Sequence, residues 1–208
     1  MLSQREEQKQ RTRARILAAA RKLFADPGYD ATTIRMIAVE AGVATGSVFT
    51  TFESKEDVLF AITGEIFDDI GRRLAERFRT AEGTARHRIK LFYAEAFAAM
   101  HERMPLMMLH FGLSWQWERP FEATRQKHIG AIFTIAVDLL KDGVRRGEIA
   151  DHVDLALLAD VLVDIYVRNF RRAWYRGMAP DAIATLSERQ LDLIFDGACG
   201  AARGANGA

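Results

Sequence analysis

Apolar residues recur at i, i+3 and i+4 from one end of this chain to the other, and no stretch alternates apolar and polar in the manner of a strand. That pattern predicts an all-α protein. Typical helix lengths divide the chain into about nine or ten helices. The four prolines, at positions 27, 105, 120 and 180, each sit near a break in the helical pattern. With 208 residues, 49% of them hydrophobic, there is material for one large domain or two small ones. A single cysteine, Cys199, excludes a disulfide framework and fits a reducing compartment. The N-terminus, MLSQREEQKQRTRAR, is too polar for a secretory signal, and charge-free apolar runs such as residues 129–137 are too short to span a bilayer. A soluble cytoplasmic chain with no membrane association is expected.

The first helix is expected over residues 4–25, with Ile16, Leu17, Ala20, Leu23 and Phe24 on one face and Asp26-Pro27-Gly28 as its stop. Thr32 or Thr33 can cap a second helix whose inner face is Ile34, Ile37 and Ala38. Ala41-Gly42-Val43 then turns the chain into a brief third helix ending near Thr51. Ser54 caps a long fourth helix with Glu56 and Asp57 in its first turn. Its buried stripe is Val58, Leu59, Ile62, Ile66, Ile70, Leu74 and Phe78. Longer, more aromatic helices follow at about 84–103, 105–117, 120–146, 152–177 and 180–197. Asp151 to Asp154 resembles an N-cap, Pro180 opens the last helix, and the Gly/Ala-rich end frays. The expected organisation is a first domain over 1–58, a larger helical domain over 59–200, and a flexible tail over 201–208.

Two helices joined by a tight glycine turn make a helix-turn-helix, whose second helix lies in the DNA major groove. The second helix here carries no charge between Val43 and Phe52. Ala44, Thr45, Gly46 and Ser47 are small enough to let its backbone approach base edges, hydroxyls can read those edges, and methyl groups can pack on thymine. Val48 and Phe52 pin it to the core. Phosphate neutralisation falls to cations elsewhere. Residues 1–25 hold seven of them (Arg5, Lys9, Arg11, Arg13, Arg15, Arg21, Lys22) against Glu6 and Glu7, an excess of five, although the whole chain is only +1. Arg35 and Lys55 add two more candidates.

The stretch RILAAARKLFADPGYDATTIRMIAVEAGVATGSVFTTFESKEDVL resembles the DNA-binding domain of the TetR (tetracycline repressor) family of bacterial transcription regulators, strongly so over about residues 12–60. Gly28-Tyr29, Thr32-Thr33, Ile37-Ala38, Ala41-Gly42-Val43, Gly46, Phe52 and Ser54-Lys55 carry the likeness. It implies a basic-armed helix-turn-helix domain followed by a helical ligand-binding and dimerisation domain. It further implies that Thr33 and Arg35 contact DNA from the second helix, that Ala44, Thr45, Gly46, Ser47, Phe49 and Thr50 face DNA from the third, and that Lys55 touches phosphate. Two positions depart from the family: Ala44 replaces a usual capping Ser, which passes the cap to Thr45, and Phe49 replaces a common Tyr, which removes a phenol-to-phosphate hydrogen bond.

The stretch 105–117, PLMMLHFGLSWQW, is apolar nearly all round, as in a helix buried on most sides. Tyr93, Phe97, Met100, Met107, His110, Phe111, Trp115, Phe133, Tyr166, Asn169, Phe170 and Trp174 are candidates to line an apolar pocket for a small apolar or aromatic effector, with plain core packing as the competing reading of each. Leu155, Leu158, Leu162 and Ile165 stripe one of the last two long helices, and Ile183, Leu186, Leu191 and Ile194 stripe the other. That is more apolar surface than one helix pair hides, which points to a two-fold homodimer through these helices reading a palindromic operator in double-stranded DNA. The five histidines show no metal-ligand spacing, there is no H-E-x-x-H, no paired Cys and no glycine-rich phosphate loop, so neither an enzyme nor a cofactor or metal site is expected. The expected function is a ligand-released repressor; the alternatives are an all-α protein-interaction adaptor or an enzyme without DNA binding.

Overall fold

The computed structural model describes residues 3–114 and 119–204, and their side chains outside 114–129, 131 and 198–204. Among the described residues there are nine α-helices: α1 (Gln4–Leu23), α2 (Ile34–Ala41), α3 (Thr45–Phe49), α4 (Lys55–Arg79), α5 (Ala85–His101), α6 (Met104–Ser114), α7 (Arg119–Arg145), α8 (Leu155–Arg176) and α9 (Pro180–Gly204). No described helix is long and apolar enough to cross a membrane. They form two compact units, one holding residues 3–66 and 109–114, the other 67–108 and 119–204. Both α4 and α6 thus contribute residues to each unit.

In the first unit, α1 opens on a reciprocal cap. The Ser3 hydroxyl accepts from the Glu6 amide at 3.3 Å, and the Glu6 carboxylate accepts from the Ser3 amide at 2.7 Å. These bonds hold the Glu6 carboxyl below its ordinary range. The helix ends at Leu23, two residues short of the expected end at residue 25. A wide turn over Phe24–Gly28 follows, in which Asp26 is extended (φ −154°, ψ 116°) and Gly28 takes φ 106°. The two threonines divide the capping work. Thr32, 1% exposed, sets its hydroxyl within 3.0 Å of the Leu23 carbonyl and 2.7 Å of the Gly28 carbonyl, closing the end of α1. Thr33 caps α2 by accepting from the Met36 amide at 3.2 Å. Ser54 and Asp57 exchange amide-to-side-chain bonds of 3.0 and 3.1 Å at the start of α4. The stripe foreseen on α4, from Val58 to Phe78, is buried throughout.

In the second unit, Asp154 caps α8 by accepting from the Ala156 and Leu157 amides at 3.0 and 3.1 Å. The helix therefore starts at Leu155, three residues later than expected. Gly143 on α7 lets α5 come close: a methyl group there would lie 2.6 Å from Ala85 Cβ and 2.8 Å from Ile149 Cδ1. Charged pairs frame the packing. Arg88 on α5 bonds Asp142 on α7, and Arg86 and Lys90 converge on Asp192 of α9. Arg88, then Arg145, hold the Asp142 carboxyl below the ordinary range; Lys90, then Arg86, do the same for Asp192. A carboxylate depressed on folding contributes stability above its unfolded pKa of about 4 and loses it as pH falls through the folded value. The thermal midpoint is therefore expected to fall below about pH 4. The double variant Asp142→Asn/Asp192→Asn is expected to be less stable at neutral pH and to lose less on acidification. Parallel pH profiles for variant and parent would remove these pairs from the account of acid sensitivity.

The two stripes assigned to a subunit contact are partly buried within the chain itself. Leu162, Ile183 and Leu191 are buried, and Leu155, Leu158, Ile165, Leu186 and Ile194 are half-buried. The large apolar side chains left exposed on these helices are Leu157, Val161, Trp174, Tyr175 and Leu193. Periodicity marks a face that is covered, and it does not distinguish the chain's own helices from those of a second copy.

Candidate functional site

The turn between α2 and α3 rests on Gly42, which ends α2 in the left-handed region (φ 63°, ψ 39°). Its amide and that of Val43 return to α2 carbonyls, Val43 to Ala38 at 3.0 Å, the closing bond of a Schellman turn. Arg15 reaches across from α1 and donates to the Gly42 carbonyl at 2.8 Å. On α3, Val48 is fully buried, and Phe52 just beyond is 7% exposed; these anchor the helix as expected. Ala44, Thr45, Gly46, Phe49 and Thr50 face outward and Ser47 is half-buried. A row of small groups and hydroxyls is therefore presented to solvent on a helix held from beneath.

The cap of α3 does not pass to Thr45. Ala44 is the N-cap, with extended backbone and no side-chain hydrogen bond, and Thr45 is already the first helical residue. A threonine inside the helix cannot fold back onto the amides that a preceding hydroxyl would reach. The Thr45 hydroxyl stays exposed. Thr50 and Thr51 both donate to the Ser47 carbonyl at 3.0 Å, so Thr50 turns its oxygen lone pairs outward. Phe49 is 55% exposed, a large apolar ring beside the hydroxyls.

The cations fall into two groups that charge counting cannot separate. Arg13 and Arg21 both bind Glu65 on α4, and Lys22 binds Glu40 at 2.6 Å. Arg15 is engaged with the turn. Lys55 donates to the Tyr29 and Thr32 carbonyls at 2.8 and 3.0 Å, and its ammonium stands 4.2 Å from the Tyr29 ring centroid. It thereby joins the start of α4 to the segment before α2 and retains one N–H for another acceptor. Tyr29 is fixed in turn by a 3.2 Å hydrogen bond to Glu56; burial first, then the Glu56 charge, push its phenol above its ordinary range. By contrast, Arg5, Lys9, Arg11 and Arg35 are exposed and make no ion pair among the described residues. Thr33 is exposed beside Arg35, at the outer end of α2. Arg15, Tyr29 and Glu65 build the head through side-chain partners 27 to 52 residues away, which no local pattern marks, and Thr32, a capping candidate for α2, closes the end of α1 instead.

The effector candidates separate between the units. His110 and Phe111 lie in the first. His110 is fully buried, with Nδ1 2.9 Å from the Thr63 hydroxyl of α4 and its ring edge-on to Phe60 at 5.0 Å. In the second unit, Tyr93, Phe97, Tyr166 and Phe170 form one aromatic cluster with ring centroids 5.7–6.5 Å apart. Burial pushes both tyrosine phenols well above their ordinary range, and both donate to backbone carbonyls: Tyr93 to Leu162, and Tyr166 to Ala96 at 3.0 Å. Met100 and Met107 are buried, Phe133 is half-buried, and Trp174 is 43% exposed on the outer side of α8. Trp115 lies outside the described residues. Asn169, 1% exposed, donates to Ser187 at 2.9 Å and Gln190 at 2.6 Å, while its Oδ1 is buried without a partner. No cluster of three or more metal-ligating side chains occurs among the described residues.

A family model described as bacterial regulatory proteins, tetR family, matches residues 16–62, the stretch that builds this head. The chain is 27% identical over 188 residues to the HTH-type transcriptional repressor KstR2 of Mycolicibacterium smegmatis, with 89% of each chain covered. It is 22% identical over 182 residues to the fatty acid metabolism regulator protein of Bacillus subtilis, covering 88% of this chain and 93% of that one. Among solved structures, FadR from Bacillus subtilis in complex with stearoyl-CoA superposes with a TM-score of 0.73 at 22% identity, covering 88% of this chain and 98% of that one. FadR from Thermus thermophilus in complex with lauroyl-CoA does so at 0.70 and 19% identity, covering 86% and 92%.

Proposed function

Because this chain is a transcription regulator of the TetR family, a DNA-binding and ligand-responsive family and not one of enzymes, we propose that it is a homodimeric repressor released from a palindromic operator by an acyl-CoA thioester. The observation that carries the DNA reading is the division of α3: Val48 sealed inward, Thr45, Gly46 and Thr50 outward. Each subunit lays residues 44–50 in a major groove. Arg5, Lys9, Arg11 and Arg35, the cations not committed to internal partners, take the phosphates, with Thr33 and the remaining N–H of Lys55 beside them. Phe49 offers its ring to thymine methyls or deoxyribose in place of a phenol hydrogen bond.

The effector class is taken from the relatives crystallised with stearoyl-CoA and lauroyl-CoA, and this chain has matching chemistry. The aromatic cluster of the second unit and Met100 and Met107 suit an acyl chain, and the unpaired Asn169 Oδ1 suits an amide N–H of the pantetheine arm. The His110–Thr63 hydrogen bond ties α6 to α4 inside the unit that carries the head, so an effector displacing α6 would bias α4. Moving the population from nearly all bound to nearly all released takes about 5.5 kcal/mol of differential binding.

Gel shift on the chain's own upstream DNA tests both parts. Thr45→Ala is expected to weaken the complex about 5- to 150-fold without changing oligomeric state, the range for a lost base-edge contact of about 1–3 kcal/mol. Unchanged affinity would remove Thr45 from the reading face. Long-chain acyl-CoA is expected to release the operator, and CoA alone or the free fatty acid is not. A complex indifferent to every acyl chain length would discard this effector class and leave the DNA reading intact.

A further inference from the structure

On α1, Arg5, Lys9 and Arg13 follow one another at intervals of four, and the same face continues into Ile16, Leu17 and Ala20, which are buried. Arg5 and Lys9 are exposed, and Arg13 is half-buried at the point where this face enters the core. The Arg13 guanidinium is held from two sides. It lies over the Phe52 ring, 5.6 Å from the centroid, and it donates to one Glu65 oxygen at 3.2 Å. Phe52 stands just past α3, its amide bonded to the Val48 carbonyl at 2.8 Å. Arg13 thus ends a row of cations at the exit of the reading helix. Glu65 has a second guanidinium: its other oxygen accepts from Arg21, further along α1. Two cations therefore share one carboxylate, and the cluster holds one positive charge more than it matches. Lys22 and Glu40 pair one to one by contrast, and Arg15 is bonded to the Gly42 carbonyl of the turn.

The three side chains of this cluster are 41–44% exposed, so each ion pair is weak in water. The sharing weakens the hold on Arg13 further. When a one-to-one pair breaks, a bare carboxylate is left, whereas Glu65 keeps Arg21 if Arg13 departs. Among the described residues Glu65 takes one of the five N–H groups of Arg13. We infer that Arg13 is an exchangeable phosphate contact: on DNA its guanidinium passes from Glu65 to a backbone phosphate, and Glu65 stays with Arg21. This rests on the DNA reading above and adds a cation to it, with Glu65 as the internal anion that a phosphate displaces. A nucleic-acid strand is the occupant because Arg5, Lys9 and Arg13 set single positive charges about 6 Å apart along the helix axis, a row that suits regularly spaced anions. The incoming phosphate repels the Glu65 carboxylate, which favours exchange over sharing of Arg13. The exchange lowers affinity equally on operator and random DNA, since a phosphate carries no base identity. Glu65 therefore sets how tightly the head holds DNA and leaves its sequence preference alone.

Binding of the full chain to its own upstream DNA over a salt series tests this with the parent, Arg13→Gln, Glu65→Gln and the double variant. Arg13→Gln removes one phosphate contact per subunit, so the slope of log K against log salt is expected to shrink by about 1.8 for a dimer, about 0.9 for each contact. Arg13→Lys keeps the charge and is expected to keep the parental slope. Glu65→Gln removes the competing anion, and binding is expected to tighten about 2- to 30-fold for a dimer, the range for two exposed ion pairs that no longer have to break. That gain is expected to vanish in the double variant, because it acts through Arg13. A carboxylate that merely repelled DNA would give the same gain in either background. Random DNA is expected to follow the operator in each change. An unchanged slope in Arg13→Gln, or a Glu65→Gln gain that survives in the double variant, keeps Arg13 on Glu65 and overturns the exchange while the DNA reading stands. A parent that binds no upstream sequence overturns both.

Discussion

Gly42→Val is expected to abolish operator binding, with a loss of about 100-fold or more, and to destabilise the unit that carries the head by about 2–4 kcal/mol. Two costs meet at this position. The backbone sits at φ 63°, where a β-branched residue costs about 1–3 kcal/mol. A side chain also runs into Arg15: its first carbon would lie 2.7 Å from the guanidinium nitrogen, so the arginine gives up the Gly42 carbonyl. That bond is exposed, which puts its worth at the low end of about 1–2 kcal/mol. The effect on DNA exceeds the effect on stability because the turn sets the angle of α3, and several base contacts fail together when it changes. Gly46→Ala is the control. Nothing lies within 4 Å of the added carbon, and its backbone is helical, so stability is expected to hold or rise slightly. Any loss of binding there reports close backbone approach to DNA. Urea unfolding and gel shift on both variants separate the cases. A Gly42→Val protein that binds its operator normally would mean the turn does not orient the reading helix.

Phe170→Ala is expected to cost about 3–5 kcal/mol. For a chain of this size that lowers the thermal midpoint by roughly 6–20 °C. The ring is fully buried, stacks on Tyr166 at 17° between planes, and meets Phe97 edge-on at 5.7 Å. Removing it opens a void lined by those rings, which keep their places because Tyr166 is tied to the Ala96 carbonyl. Tyr175→Ala, five residues on and exposed, is expected to change the monomer's stability by less than about 0.5 kcal/mol. A loss below about 1 kcal/mol for Phe170→Ala, read from urea curves with unchanged slope, would show that the cluster is loosely filled. The two roles foreseen for these aromatics, core and effector lining, would then shift towards lining.

The helices were legible because each buries one face, and burial writes a 3.6-residue period that needs no knowledge of the partner. The α4 stripe from Val58 to Phe78 and the anchor Val48 were read correctly for that reason. The reading head was legible because its chemistry is local: Gly42 for the left-handed turn, Thr33 and Ser54 for caps, small residues on α3. What a local pattern does not carry is whatever depends on a distant segment. Within the α8 and α9 stripes, Leu162, Ile183 and Leu191 are buried inside the chain while Leu155, Leu158, Ile165, Leu186 and Ile194 stay half-buried, a division the helical period does not mark. Lys55, a phosphate candidate by resemblance, also has an internal task that no local pattern marks, donating to the Tyr29 and Thr32 carbonyls.

By itself the sequence determined the all-helical class, the position of the turn, the face α3 presents and the excess of positive charge before it. Each follows from intervals of three or four residues, within reach of one helical turn. Only the tertiary structure decided which cations remain available to an anion, which aromatics meet, and which side of α8 is left uncovered. Those outcomes depend on partners tens of residues away, such as Glu65 for Arg13 and Gly42 for Arg15. A guanidinium carries the same charge in the sequence whether or not a carboxylate has already claimed it.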